Sequence, residues 1–134
     1  MRPSRYEVRF ELDLDTWTSR GAAAISLRTT AAVRELVLHS VDLDVTAARL
    51  DGGATAGVTY DTESQTVTLA FPAGVPAGDH RLELEWTGGI RSALRGLYRS
   101  TRGEERYAAT QFEAADARRA LPCFDEPEFK ATWA

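Results

Sequence analysis

One cysteine and two histidines are all that 134 residues contain of the side chains that most often bind metal or carry redox chemistry. Cys123 has no second cysteine to pair with, so the fold must rest on burial and backbone hydrogen bonding, and the redox compartment stays unassigned. His39 and His80 lie far apart, and no His-Glu-x-x-His pair occurs. The ligand cluster that a zinc ion needs is therefore missing from the sequence. No glycine-rich phosphate loop follows a strand pattern, and no serine or cysteine reads as having a histidine set to activate it. No segment approaches the roughly 18 consecutive apolar residues of a membrane helix, so no membrane partner is expected. Basic clusters are missing too. With a formal net charge of -4 and an isoelectric point of about 5.2, the chain has no electrostatic footprint for nucleic acid. The first residues, MRPSRYEVRF, lack the apolar run of a secretory signal. These absences together give the expectation of a soluble cytoplasmic protein.

What is present has an ordinary globular balance, 43% hydrophobic and 27% charged, in a length that suits one domain. The dominant period is two. In YEVRFELDL, Tyr6, Val8, Phe10, Leu12 and Leu14 alternate with Glu7, Arg9, Glu11 and Asp13, the pattern of a strand with one dry face. Ala23, Ile25 and Leu27 continue it, then the apolar run 35–39, then Leu43, Val45 and Ala47. DGGATAG (51–57) reads as a turn. Residues 58–60 and 66–71 read as a hairpin around the loop 61–65. FPAGVPAGD (71–79) reads as a proline–glycine connector, and RLELEWTG places Leu82, Leu84 and Trp86 inward. Further strands are expected at 97–101 and 106–112, and a short helical turn at 114–120. The fold class that follows is all-β, a mostly antiparallel β-sandwich.

The last quarter, TQFEAADARRALPCFDEPEFKATW, is crowded with charge. Asp116, Arg118, Arg119, Asp125 and Glu126 read as a structural network holding an irregular loop between Pro122 and Pro127. Cys123, between Pro122 and Phe124, reads as a packed, inert thiol, with a nucleophilic role as the weaker alternative. His39 and His80 read as solvated residues at strand edges. Glu113 stands apart, because a carboxylate at a strand end is well placed to receive a cation.

The stretch from Thr110 to Ala131 resembles the signature of zinc aminopeptidases of the aminopeptidase N type, and GGIRSALRGLYRS resembles the segment that precedes it in that family. The alternating strands match the family's N-terminal β-domain, so the resemblance covers essentially the whole chain. It implies that Glu113 helps bind the free α-amine of a peptide substrate and that Gln111 lines the pocket for the first side chain. An ammonium entering a confined site needs anionic partners to offset its desolvation. The resemblance also implies zinc in the full-length enzyme, held by the His-Glu-x-x-His motif and a later glutamate, none of which is in this chain. Catalytic and metal residues are accordingly expected from a catalytic domain of the same protein. Residues 1–134 are expected to be an incomplete N-terminal β-sandwich domain, inactive alone, whose strands continue beyond Ala134. The alternative is a non-catalytic β-sandwich binding module that keeps the signature without the enzyme.

Overall fold

The computed structural model describes residues 1–53, 55–90, 96–102, 105–111, 117–124 and 131–134. Period-two patterning becomes three sheets. Strands β1 (Arg2–Asp13), β2 (Thr18–Thr29), β4 (Leu43–Leu50), β7 (Gly78–Gly89) and the two-residue β10 (Thr132–Trp133) form one sheet in the order β10-β1-β2-β7-β4. Strands β3 (Val33–His39), β5 (Gly57–Asp61) and β6 (Thr66–Val75) form a second, in the order β3-β6-β5. Strands β8 (Gly96–Arg102) and β9 (Glu105–Gln111) form a separate two-stranded ribbon. Every pairing is antiparallel except that of β1 with β10. Among the described residues the fold is thus the expected all-β, mostly antiparallel architecture.

One apolar cluster joins the five-stranded and three-stranded sheets face to face. On the central strand β2, Ala23, Ile25 and Leu27 point inward while Arg20 and Arg28 face water. Leu82, Leu84 and Trp86 of β7 meet them, and Leu36, Leu38, Val67, Leu69 and Phe71 come from the opposing sheet. The alternation of the sequence is the alternation of this burial. It weakens along β1, where Tyr6 is buried but Phe10 and Leu12 stay exposed.

Trp86 is the largest fully buried side chain. Its backbone partner on β2 is Gly21, and a Cβ there would overlap the indole at Cζ2 and Cε2. Glycine is needed at this site for space, since the indole occupies the place a side chain would take.

Two expectations need correction. The segment 71–79 is not a free connector. Strand β6 runs on to Val75 and β7 begins at Gly78. The ladder to β3 breaks between Val33 and Glu35, so that β6 bulges between Ala70 and Val75. Pro72, which has no N–H to donate, falls inside that break, and Gly74 takes φ 84° there, as bulges allow. Nor does the alternation of β4 run through Ala47. A register shift lies between Val45 and Ala47, and beyond it Ala48, not Ala47, is fully buried. One extra residue flips every later side chain to the other face.

The expected helical turn appears as a 3-10 turn at Ala117–Arg119; its expected start, and Phe112 at the expected end of β9, lie outside the described residues. Gly21→Ala is expected to destabilise the chain by about 1–3 kcal/mol through overpacking against Trp86. Urea denaturation of the 134-residue chain checks this, and an unchanged midpoint would contradict the steric account.

Candidate functional site

Gln111 is the last residue of β9 and pairs with Gly96 at the start of β8. Glu113 lies outside the described residues, as do Asp116, Asp125 and Glu126. The ribbon that ends at Gln111 is held at its other end. The Arg106 guanidinium donates through Nη1 to the carbonyls of Leu14 at 2.9 Å and Asp15 at 3.1 Å, and sits 5.6 Å from the centre of the Trp17 ring. Those carbonyls belong to the β1–β2 turn, which Asp13 organises: its Oδ1 accepts the backbone N–H groups of Asp15 and Thr16. The same bonds, that of Thr16 first, hold the Asp13 carboxyl below its ordinary value.

The segment 117–124 packs against the core of the sandwich. Ala120, Leu121, Pro122, Cys123 and Phe124 are all buried. Cys123 forms an antiparallel bridge with His39, its N–H donating to the His39 carbonyl at 3.0 Å and its carbonyl accepting the His39 N–H at 2.7 Å. The Trp86 Nε1–H donates to the Ala120 carbonyl at 3.1 Å, and the Phe124 N–H donates to the Tyr6 hydroxyl at 3.1 Å. Val41 N–H donates to the Arg118 carbonyl, and the Arg118 guanidinium donates to Gln65 Oε1 at 3.1 Å. This part of the signature therefore does structural work. Cys123 is 3% exposed, matching the expectation of a packed thiol. Arg118 joins the loop to the β5–β6 turn, in keeping with its expected structural role.

Of the two histidines, His80 does not behave as a solvated residue. His39 is half-buried within the bridge to Cys123. The His80 side chain is 8% exposed, with Nδ1 2.6 Å from Asp51 Oδ2 and Nε2 2.6 Å from the Pro76 carbonyl. Asp51 Oδ1 also accepts the Arg81 N–H at 2.8 Å. Two acceptors on one ring favour the imidazolium, so the Asp51 hydrogen bond and then the Pro76 carbonyl raise the His80 pKa. Partial burial opposes the Asp51 charge, but the bonds from His80 and the Arg81 N–H outweigh it and lower the Asp51 pKa. Sequence reading found the turn at Asp51 but not this pair, because 29 residues separate its members.

Among the described residues no group of three or more His, Cys, Asp or Glu side chains could hold a metal ion. Both ring nitrogens of His80 are already taken. These residues do not fit a zinc site. No helix among them is long and apolar enough to cross a membrane.

The family model of the peptidase M1 N-terminal domain matches residues 2–134. Aminopeptidase M1-C of Oryza sativa subsp. japonica is 40% identical over 135 residues, covering 96% of this chain and 15% of the relative. Aminopeptidase N of Acetobacter pasteurianus is 36% identical over 136 residues, covering 98% and 38%. Aminopeptidase 2, mitochondrial, of Saccharomyces cerevisiae is 34% identical over 142 residues, covering 98% and 15%. The chain thus spans between 15% and 38% of the length of these relatives.

The His80–Asp51 clasp sets a pH dependence with a definite sign. A raised histidine pKa means that the clasp contributes fully below the unfolded value of about 6.5 and is lost as pH rises through the folded value. The lowered Asp51 pKa means that its share is present above about 3.8 and lost as pH falls through its own folded value. The stability difference between the chain and its His80→Gln variant is therefore expected to be largest between those limits and to shrink as pH rises above them. Denaturation midpoints of both proteins across that range test this, and a difference that grows with pH would contradict it.

Proposed function

The chain belongs to the peptidase M1 N-terminal domain family, and from that premise we propose that it is the N-terminal part of a zinc metalloaminopeptidase that releases N-terminal amino acids from peptides. The observation that carries this reading is the match of nearly the whole chain to aminopeptidases at 34–40% identity. In it, Glu113 anchors the substrate α-amine and Gln111 lines the pocket for the first side chain. The reading rests on the motif TQFE, on the position of Gln111 at the end of β9, and on the chemistry of ammonium recognition. A carboxylate that pairs with a free amine also makes the enzyme act at chain ends, because a blocked peptide leaves that charge unpaired in a confined site.

Residues outside this chain hold the zinc and the general base, and the catalytic domain of the same protein is the first partner. No step of peptide hydrolysis is assigned to residues 1–134, which are inactive alone. The setting is cytoplasmic.

The test uses the full-length enzyme with peptides carrying either a free or an N-acetylated first residue. Release of the first residue from free-amine peptides alone supports the reading, and cleavage indifferent to acetylation contradicts it. Glu113→Ala is expected to lower kcat/KM on free-amine peptides by about 1–3 kcal/mol, the worth of a charge-assisted hydrogen bond. Unchanged kinetics would remove Glu113 from the site.

A further inference from the structure

Strands β8 and β9 pair with each other and, among the described residues, share no ladder with either sandwich sheet. A ribbon without a ladder takes its orientation from whatever fastens it. Arg106 is such a fastening, with two charge-assisted bonds to the Leu14 and Asp15 carbonyls and a ring contact with Trp17. Its receiving surface is organised. The Asx bonds of Asp13 shape the turn that offers both carbonyls. Trp17 holds φ 54°, a left-handed conformation that a bulky side chain rarely takes. The Trp17 carbonyl accepts the N–H of Ile90, the residue after β7, at 2.7 Å. A strained residue persists only where its surroundings hold it, and such residues mark places where geometry matters.

We propose that Arg106 is a positioning residue for peptide binding: its guanidinium, seated on the β1–β2 turn and Trp17, sets the angle at which β9 presents Gln111. This rests on the reading of Gln111 as a substrate contact. Five residues of strand separate Arg106 from Gln111, about 17 Å at the usual rise. A tilt of about 5° at Arg106 displaces the end of the strand by about 1.5 Å over that span. Displacements of that size cost enzymes large factors in rate when they affect substrate placement. Lysine at 106 keeps a charge able to reach the carbonyls but loses the planar face that lies on the indole.

The experiment compares Arg106→Ala, Arg106→Lys, Gln111→Ala and the double variant Arg106→Ala/Gln111→Ala in the full-length enzyme, on free-amine peptides. Arg106→Ala is expected to lower kcat/KM about tenfold, mainly through KM, with Arg106→Lys intermediate. In the Gln111→Ala background the same substitution is expected to add little, because its effect passes through Gln111. A role in stability alone moves the thermal midpoint but not this coupling. Unchanged KM in Arg106→Ala, or an equal loss in both backgrounds, overturns the proposal. If Arg106→Ala does not fold, Arg106→Lys in both backgrounds decides by the same criterion. A silent Gln111→Ala overturns the substrate-contact reading itself, and the proposal with it.

Discussion

The indole of Trp86 lies where Gly21 leaves out a side chain, and the two sheets close around it. Its ring stacks no polar atom against the apolar core except Nε1, which donates to the Ala120 carbonyl. A buried indole N–H without an acceptor would cost about 1–3 kcal/mol, so closure of the core is favoured with residue 120 in place. One interaction thereby ties the central strands to a segment 34 residues further along the chain. The bridge between His39 and Cys123 and the bond from Phe124 to Tyr6 then follow along the same segment.

Tyr6 is a second node. Its ring stacks on Trp133 at 4.2 Å with the planes 8° apart, and its hydroxyl accepts the Phe124 N–H. Parallel pairing of β10 with β1 rests on this stack and on backbone bonds between Ala134 and both Tyr6 and Val8. The family signature thus divides by physical role. Ala120 to Phe124 is core, while Gln111 sits on a ribbon fastened to the sandwich through polar bonds at Arg106.

Most of the strands were legible in the sequence, because burial on one face imposes period two on any sheet. That signal fails where the backbone departs from regular pleating. The register shift after Val45 moved burial from Ala47 to Ala48, and no residue there announces it. Pro72 and Gly74 argued for a loop, yet a bulge admits both. His80 read as solvated because it stands alone at a strand edge in the sequence; its ring partners are Asp51, 29 residues away, and the Pro76 carbonyl. Of the candidate site, Glu113 drew notice as a carboxylate at an expected strand end and Gln111 only through resemblance; Gln111 is the last residue of β9, Glu113 lies outside the described residues, and the Arg106 seat gave no sequence signal.

By itself the sequence determined which face of most strands is dry, the far part of β4 and the end of β1 excepted, that the fold is all-β, and to which family the chain belongs. Alternation and motif spacing are local properties, and both survive without knowledge of neighbours. Only the tertiary structure decided which residues meet: Asp51 with His80, Trp86 with Ala120, and Leu14 with Arg106, at separations of 29, 34 and 92 residues. The physical reason is that hydrophobic burial is non-directional. It says that a residue must be inside, while strand order, bulges and the bonds of buried polar groups settle against what.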